Sequence, residues 1–354
     1  MNKKIVFTGG GTAGHVTPNI ALLPYLQKEG YDAFYIGSYN GIEKRLMEDF
    51  DIPYYGISTG KFRRYFDLKN LSDPFRVIKG YSQALKILKE LKPDIVFSKG
   101  GFVSVPVVRA AASLKIPCII HESDMTPGLA NKLCIPVATK VCCNFPETTK
   151  YVPSGKAVLT GSPIRTELTT GSKLAALELC GFTANKPVVM VIGGSQGAAS
   201  VNVMIREALP KLLEEFQVVH ICGKDKVDNL MLTIPGYKQF EYLKSDLKDV
   251  FAMADVVVSR AGANAICELL ALKKPNLLIP LQIGTRGDQI LNARSFEEQG
   301  FSMAVREDFI DCDILTEKIK ELYENRQTYI DKMCESNQMN SIPTIIELIK
   351  EYSK

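Results

Sequence analysis

The sequence predicts an α/β protein made of two doubly wound, Rossmann-like domains. Residues 3–37 run strand, glycine loop, helix, strand, and the same order returns at residue 187 in PVVMVIGGSQGAASVNVMIREALPKLLEEFQVVHICG. The strand segments are nearly continuous apolar runs, as is typical of parallel strands buried on both faces. A chain of 354 residues is long enough for two such domains. We expect the paired domains to face one another across a cleft, with ligands at the carboxyl ends of both sheets.

The first repeat gives the clearest boundaries. KKIVFTG and DAFYIG read as strands, and the helix between them is predicted from about Pro18 to Lys28. Thr17 is a plausible N-cap, and Gly30 suits a left-handed helix stop. Further strands and helices alternate through PDIVFSKGG, VPVVRAAASLKIP, CIIHESD, PGLANKLCIP and TKVCCNF.

A polar stretch, TELTTGSKLAALELCGFTANK, follows the strand VLTGSPIR and marks the domain boundary. We place this boundary at about residue 165. The first predicted domain therefore covers residues 1–164, and the second begins at residue 165 and extends to residue 340.

The composition favours a soluble globular protein. Hydrophobic residues make up 46% of the chain and charged residues 23%, which is ordinary for a soluble globular protein. Nine cysteines without a C-x-x-C pair fit a reducing compartment. No apolar run approaches 18 residues, so we expect neither export nor a membrane-spanning helix.

Charge is distributed unevenly along the chain. The net charge is +4, yet residues 1–163 carry 21 basic and 13 acidic side chains. Such a basic half can indicate an anionic partner, for instance a phosphate-rich substrate, nucleic acid or a membrane surface, although ordinary surface solvation explains it equally well.

Two glycine loops precede helices, at Gly9 to Gly14 and at Gly193 to Gly197. A glycine loop lets backbone amides approach a phosphate, and the helix start adds partial positive charge. The alternative is a tight turn needed only for packing. A dinucleotide site would also need an acidic residue at the end of the second strand, but no acid occurs there until Glu43, which disfavours a dinucleotide.

The second half contains a further candidate nucleotide site in ADVVVSRAGANAICELL. Its strand ends at Ser259, a turn of mostly small residues follows, and Glu268 lies in the next helix. A carboxylate there can accept both hydroxyls of a ribose, whereas the alternative is a solvated helix glutamate. Asp288 and Gln289, in RGDQILNA, can hydrogen-bond a neutral sugar.

Three histidines occur, and two of them are candidates for chemistry. His15 lies between the first glycine loop and its helix, where the helix dipole favours the neutral imidazole that can accept a proton; the alternative is a structural cap. His121 and Glu122 end a strand at the predicted ligand edge, where Glu122 could order a substrate, support His15 or satisfy nearby backbone. His220 lies within a strand and is predicted to be in the core.

Metal ligation finds little support. Asp311-Cys312-Asp313 has the D-x-D spacing of some metal-dependent glycosyltransferases, but it precedes a helix predicted to begin near Leu315. We expect Asp313 to cap that helix, and we expect no metal and no other cofactor.

GGGTAGH, SKGG, HES, GSPIR, GGSQGA, SRAGANAICE and RGDQILNA follow one another in this order along the whole chain. In this the sequence resembles the MurG family of bacterial peptidoglycan N-acetylglucosaminyltransferases. The resemblance implies the GT-B architecture of two Rossmann-like domains, with a final helix, PTIIELIKEYS, that joins residues 341–354 to the first domain. It assigns the acceptor and membrane-facing role to the first domain and UDP-sugar binding to the second.

The resemblance also implies an activity. Family members transfer N-acetylglucosamine from UDP-N-acetylglucosamine to the 4-hydroxyl of the muramic acid sugar of lipid I, with inversion, giving lipid II. The implied location is the cytoplasmic side of the cell membrane, as a peripheral protein, with no nucleic acid partner. Other possibilities are a transferase of this architecture with a soluble or diacylglycerol acceptor, and a non-catalytic nucleotide-sugar binding protein.

The family pattern assigns roles residue by residue. His15 is the expected general base, with Glu122 as a second catalytic candidate. The expected substrate contacts are Thr12, Ala13 and Gly14 near the donor sugar, Arg165 and Ser195 at the diphosphate, Leu243 at uracil, Glu268 at the ribose, and Gln289 at the acetamido sugar. Asp124, Ala263 and Asn264 are further expected substrate-binding residues. Two positions depart from the family pattern: Ala13 replaces a glycine, and Asp124 replaces an asparagine, which exchanges an amide donor for an acceptor.

One amphipathic segment in the basic half of the chain is a candidate membrane-binding surface. Ile78, Tyr81, Leu85 and Leu88 recur at helical spacing, with Arg76, Lys79, Lys86 and Lys89 nearby. A helix that packs on its own sheet explains this pattern about as well as a membrane surface does. The peripheral membrane association of the family favours membrane contact near Phe75 to Tyr81.

Overall fold

A computed structural model of the chain describes residues 2–60, 69–194, 197–282, 287–336, 338 and 341–353, with residues 69–74 described by their backbone. The chain divides into two compact units, one formed by Met1–Arg165 with Gln338–Lys354 and the other by Thr166–Asn337. Each unit contains one parallel sheet flanked by helices, which confirms the predicted fold class.

The first unit contains a seven-stranded sheet whose adjacent strands all pair in parallel. Its strands are β1 (Lys3–Thr8), β2 (Tyr31–Ser38), β3 (Tyr54–Ile57), β4 (Ile95–Ser98), β5 (Cys118–Glu122), β6 (Lys140–Cys143) and β7 (Ala157–Leu159), in the spatial order β3-β2-β1-β4-β5-β6-β7. Its helices are α1 (Thr17–Lys28), α2 (Ile42–Met47), α3 (Lys69–Leu91), α4 (Ser104–Ser113) and α5 (Leu129–Cys134).

The second unit repeats this order with six parallel strands. The strands are β8 (Val188–Ile192), β9 (Gln217–Ile221), β10 (Tyr237–Phe240), β11 (Val256–Ser259), β12 (Asn276–Leu278) and β13 (Met303–Ala304), in the order β10-β9-β8-β11-β12-β13. The helices are α6 (Lys173–Cys180), α7 (Ala199–Glu215), α8 (Leu247–Met253), α9 (Ala263–Ala271), α10 (Asp288–Glu298), α11 (Cys312–Glu324) and α12 (Arg326–Cys334). The last helix, α13 (Ser341–Tyr352), packs on α1 of the first unit.

Alternating strand residues fill separate cores on the two faces of the first sheet. Ile5 and Phe7 of β1 contribute to the core that also contains Leu22 of α1 and Ile345 of α13. Val6 points to the opposite face. Both faces are therefore apolar, as the continuous hydrophobic strands predict.

Two predicted helix caps were wrong, and each has a local cause. A 3-10 turn, Ala13–His15, runs directly into α1, so Thr17 is already helical and its hydroxyl donates to the Ala13 carbonyl at 3.3 Å. At α11 the cap is Asp311 and not Asp313, because Asp311 Oδ1 accepts from the amides of Asp313 and Ile314 at 3.0 and 2.9 Å. Gly30 adopts a φ of +79° after α1, which confirms the predicted stop.

The amphipathic segment forms the end of α3 and divides into two parts. Leu88 is buried, and Tyr81 and Leu85 pack partly buried against the core of the first sheet. Phe75 and Ile78, nearer the start of the helix, are 74% and 62% exposed. The sheet-packing alternative thus accounts for the second part of the segment and leaves Phe75 and Ile78 in solvent.

Candidate active site

The predicted ligand edge of the first sheet is formed by the ends of β1, β2 and β4. Thr8 pairs with Ile36 of β2 on one side and with Ser98 of β4 on the other. The loops that follow these strands therefore begin at the same edge. They are the first glycine loop, the segment leading to α2, and the SKGG loop.

A buried carboxylate supports the first glycine loop. Glu43, at the start of α2, accepts hydrogen bonds from the amide of Gly11 at 3.2 Å, the amide of Ser38 at 3.0 Å and the Ser38 hydroxyl. A Cβ on Gly10 would lie 2.6 Å from the Glu43 carboxyl carbon, so a side chain at this position would displace the carboxylate. From the sequence, Glu43 was considered only as an acid that lies too far along the chain to bind a ribose. In the structure its carboxylate instead supports the glycine loop.

His15 is held by the same loop. Its Nδ1 lies 3.1 Å from the Gly10 carbonyl oxygen and 3.1 Å from the Thr12 hydroxyl. Because a carbonyl only accepts, this contact places the ring proton on Nδ1 and leaves the lone pair on Nε2. Burial, followed by the positive charge of Lys99, lowers the pKa of His15 to about 4. The imidazole is therefore neutral at pH 7 and able to accept a proton.

The SKGG loop packs against the His15 loop and brings a buried cation close to it. Gly101 has a φ of +81°, and a Cβ there would lie 3.1 Å from His15 Nδ1 and would collide with the Gly10 carbonyl. The buried Lys99 ammonium donates to the Ser123 hydroxyl and to His121 Nδ1, the latter at 2.7 Å. Lys99 was not among the site residues predicted from the sequence, because both of these partners are more than 20 residues away in the chain.

The side chains of His121 and Glu122 both make hydrogen bonds within the protein. His121 Nε2 donates to the Gly161 carbonyl at 2.9 Å, and burial and Lys99 hold its pKa well below the ordinary value. The Glu122 carboxylate accepts from the amides of Asp124 and Gly128 at 3.0 and 3.1 Å and from Asn131 Nδ2 at 2.9 Å. These contacts favour a loop-organising role for Glu122.

The remaining candidates of the first unit lie at or after this edge. Ala13 and Gly14 belong to the 3-10 turn that ends at His15, so Thr12 and both of these residues adjoin the imidazole. The Asp124 carbonyl accepts from the Thr148 hydroxyl at 3.3 Å. Arg165 is half-buried and is the last residue of the first stretch of this unit.

The second sheet has a corresponding edge. Ser259 at the end of β11 pairs with Ile192 of β8 and with Leu278 of β12. The second glycine loop follows β8, and Gly197 within it has a φ of +67°. A Cβ on Gly193 would lie 2.8 Å from that of Ala198, so the glycine allows the chain to pass close to Ala198. Ser195 lies outside the described residues.

Arg260 links several segments at this edge of the second sheet. Its guanidinium makes a two-pronged ion pair with Glu307 at 2.9 and 3.1 Å, and also donates to the Ile279 carbonyl at 3.0 Å and the Ser200 hydroxyl at 2.8 Å. Arg260 is buried, and its hydrogen bonds are the largest cause of a lowered pKa at Glu307. The ends of β11 and β12 and the start of α7 are thereby fixed to one another, a role that the sequence did not reveal.

The turn fixed by Arg260 leads into α9, which carries three candidates. Ala263 is the first helical residue and is buried, while Asn264 and Glu268 are half-buried. Asn264 and Glu268 are four residues apart and so lie on one face of the helix. A Cβ on Gly262 would meet no atom within 4 Å, so the space just before α9 is open.

Two further candidates lie in the loops of the second unit. Leu243 is buried between β10 and α8. Gln289, the second residue of α10, accepts from the Leu281 amide at 2.9 Å through its side-chain oxygen. This contact orients the side chain and turns its NH₂ donor away from Leu281.

Two family models match separate stretches of this chain. Residues 5–143 match the family model for the glycosyltransferase family 28 N-terminal domain, and residues 188–349 match its C-terminal domain. A relative from Lachnospira eligens, named UDP-N-acetylglucosamine--N-acetylmuramyl-(pentapeptide) pyrophosphoryl-undecaprenol N-acetylglucosamine transferase, is 64% identical over 99% of this chain and 100% of its own. A relative of the same name from Lachnoclostridium phytofermentans is 59% identical, covering 99% of each chain.

Similarity extends to a solved structure. A crystal structure of MurG from Acinetobacter baumannii is 27% identical, covers 99% of each chain and superposes with a TM-score of 0.78. Identity above 50% over nearly the full length, together with both family 28 domains and this structural likeness, leaves one assignment. The chain belongs to the MurG family of N-acetylglucosaminyltransferases within glycosyltransferase family 28.

Proposed function

We propose that this protein transfers N-acetylglucosamine from UDP-N-acetylglucosamine to the 4-hydroxyl of the muramic acid sugar of lipid I, forming lipid II with inversion at the anomeric carbon. The observation that carries the chemical part is the state of His15. Its Nδ1 proton is directed at the Gly10 carbonyl, and its lowered pKa keeps Nε2 unprotonated at pH 7. A positioned neutral imidazole is a general base.

The proposed step is a single displacement. The acceptor 4-oxygen attacks the anomeric carbon from the face opposite the diphosphate, and His15 Nε2 takes the hydroxyl proton. The bond between the anomeric carbon and the diphosphate oxygen breaks, and its electron pair leaves with UDP. Glu122, held by its own loop, would order the acceptor side of the site together with Asp124.

Donor binding is assigned to the second unit. Glu268 and Asn264 share one face of α9 and would receive the ribose beside the open space at Gly262. Gln289 would use its oriented amide donor on the acetamido sugar, and Leu243 its backbone on uracil. Arg165 and Ser195 would stabilise the charge that develops on the leaving diphosphate, which provides for transfer without a metal ion. Thr12, Ala13 and Gly14 would adjoin the donor sugar.

The acceptor is lipid-linked, and we place the protein at the cytoplasmic face of the membrane as a peripheral protein. Support comes from α3, where the exposed Phe75 and Ile78 alternate with the exposed Arg76 and Lys79. Apolar side chains flanked by cations suit an anionic bilayer surface. None of the helices in the described ranges is long and apolar enough to span a membrane.

The proposed function is tested by transfer of labelled N-acetylglucosamine to a short-chain lipid I analogue in the presence of EDTA. We expect product from the wild type. Glu268→Ala should lower kcat/KM for UDP-N-acetylglucosamine by about 10- to 100-fold, since a hydrogen bond to a charged group contributes about 1.5–3 kcal/mol. Glu178→Ala, which removes an exposed glutamate of α6, is the matched control and should match the wild type.

Two outcomes would redirect the proposal. Transfer to a soluble or diacylglycerol acceptor but not to the lipid I analogue would keep the chemistry and change the substrate. Tight binding of UDP-N-acetylglucosamine with no transfer to any acceptor would favour a nucleotide-sugar binding protein.

Glu43→Gln should impair transfer although Glu43 has no part in the proposed proton transfer or displacement. The amide keeps the size of the side chain but turns an NH₂ toward a site where three donors converge. We expect kcat/KM to fall about 10-fold or more, with the KM for UDP-N-acetylglucosamine within about twofold of the wild type. Glu48→Gln, an exposed glutamate just past α2, is the control. Equal kcat/KM in the two variants would show that the loop keeps its geometry without the carboxylate.

A further inference from the structure

A cavity of the first unit adjoins the first glycine loop. It has a volume of about 410 Å³, within the range of about 300–1,000 Å³ that is typical of small-molecule sites. It opens at the ends of β2 and β3 and is lined by Tyr39, Asn40, Ser58, Thr59, Arg76 and Phe102 among others. None of these residues has a role in the mechanism above, apart from the contribution of Arg76 to the basic surface of α3.

The walls of this cavity, which we call the Arg76 cavity, are held in place by specific contacts. Gln83 of α3 accepts from the Ser58 amide at 2.7 Å and donates to the Tyr39 hydroxyl at 2.8 Å, so one side chain links two walls. A Cβ on Gly80 would collide with the Ser58 carbonyl, which means that glycine brings α3 close to the end of β3. Gly80 lies one turn from Arg76 and therefore sets its position over the cavity.

The lining has the chemistry of an anion site. Arg76 is the one charged residue among the described residues that line the cavity, and Ser58, Thr59 and Asn40 offer hydroxyl and amide donors. A guanidinium with neighbouring neutral donors is suited to two oxygens of a phosphate or carboxylate.

The location of the cavity favours a phosphate group over a carboxylate as its ligand. At one end Phe102 packs against Gly11, since a Cβ on Gly11 would lie 2.6 Å from its ring, and Gly11 belongs to the loop that holds His15. At the other end Arg76 adjoins Phe75, which together with Ile78 is exposed on α3. The cavity thus lies between the proposed lipid contact and the proposed base. In a lipid-linked sugar, the group between the lipid and the sugar is the diphosphate.

We propose that the Arg76 cavity binds the diphosphate of a polyprenyl-linked acceptor, with Arg76 as the residue that discriminates for it. The inference rests on the proposed function, because it takes the acceptor to be lipid-linked. It adds to that function a specific anchoring site beside the glycine loop, which aligns the sugar with His15.

Binding can be tested apart from catalysis by titrating the full-length protein with geranyl diphosphate, a soluble prenyl diphosphate, in isothermal calorimetry without membranes. Arg76→Gln should weaken binding by about 10-fold or more, and Thr59→Val, which removes one lining hydroxyl, by about threefold or more. Arg45→Gln, an exposed arginine of α2 outside the cavity, is the matched control and should bind as the wild type does. A muramyl pentapeptide that lacks the diphosphate should bind equally to the wild type and to Arg76→Gln.

The outcomes separate this inference from the proposed function. Diphosphate binding that depends on Arg76, in a protein that transfers no sugar, would support the cavity and remove the function. Sugar transfer with equal diphosphate affinity in the wild type and Arg76→Gln would overturn the cavity and leave the function standing. Loss of muramyl peptide affinity alone in Arg76→Gln would assign the cavity to a peptide carboxylate and also overturn the inference.

Discussion

Replacing His15 with alanine is expected to lower the kcat of sugar transfer by about 10²- to 10⁴-fold, the usual contribution of a general base. The KM for UDP-N-acetylglucosamine should change by less than about threefold, because the lost group acts on the acceptor hydroxyl. The measurement is steady-state transfer to the short-chain lipid I analogue with each substrate varied in turn.

A second substitution separates proton abstraction from loop support. In His15→Asn the side-chain amide can still donate to the Gly10 carbonyl, as Nδ1 does in the wild type at 3.1 Å, but it has no basic nitrogen at the position of Nε2. We therefore expect His15→Asn to be as slow as His15→Ala while its melting temperature stays close to that of the wild type. Turnover at the wild-type rate in the asparagine variant would exclude His15 as the base.

The pH dependence of the wild type follows from the same contacts. Burial and Lys99 lower the pKa of His15 to about 4, so the base is unprotonated over the whole range above about pH 5 and becomes protonated only below it. The acid limb of kcat/KM, which reports the free enzyme, should therefore lie below pH 5 and not near 6.5. Bound diphosphate brings negative charge close to the imidazole, so the limb of kcat should lie at higher pH. A kcat/KM limb near 6.5 would contradict the environment described for His15.

The fold was predictable because its causes are local and repeated. Apolar strands that end in glycine loops occur in both halves of the sequence, and this pattern alone predicts two parallel sheets. The helix caps were less predictable. The start of α1 depends on a 3-10 turn at Ala13–His15 that no sequence pattern predicted. At α11, Asp311 and Asp313 are both chemically suitable caps, and only the path of the backbone distinguishes them.

Candidate site residues could be named from the sequence where a residue type is chemically distinctive, and less so where a residue acts through burial; the roles given to them stay predictions. His15 and Glu268 could be chosen because few residues fit their roles. Lys99 and Arg260 are charged residues whose partners are distant in sequence, and Glu43 reaches the glycine loop through Gly11, 32 residues earlier, so the chain near each residue does not show its contacts. Phe75 and Ile78 shared their helical spacing with buried neighbours, and only packing separated the exposed pair from the rest.

Arg260→Met is expected to destabilise the second unit by about 3 kcal/mol, because Arg260 is buried and Glu307 half-buried, so that removing the guanidinium leaves an uncompensated charge at Glu307. For a unit of this size the corresponding fall in melting temperature is about 6–12 °C, measurable by calorimetry. Arg294→Met, which removes an exposed arginine paired with Glu298, is the control and should shift the melting temperature by less than about 2 °C.

The destabilisation should depend on pH in a defined direction. Hydrogen bonds from Arg260 hold the pKa of Glu307 below its ordinary 4.5, so the stability that this pair provides is present above that pH and is lost as pH falls through the folded-state value. The difference in melting temperature between the wild type and Arg260→Met should therefore shrink once the pH is below about 4.5. A second substitution, Glu307→Leu, made in the Arg260→Met background, should recover part of the loss at pH 7, since it removes the unpaired charge.

Stability and donor binding should also separate in these variants, which makes the consequence for function testable. The Arg260 guanidinium fixes the turn before α9 to the Ile279 carbonyl and to Ser200 at the start of α7. The double variant removes the charge imbalance but restores neither of these contacts. We therefore expect the KM for UDP-N-acetylglucosamine to remain raised in the double variant even where its melting temperature recovers. If KM returned to the wild-type value along with stability, the anchoring of the turn would have no part in donor binding, and Arg260 would serve the fold alone.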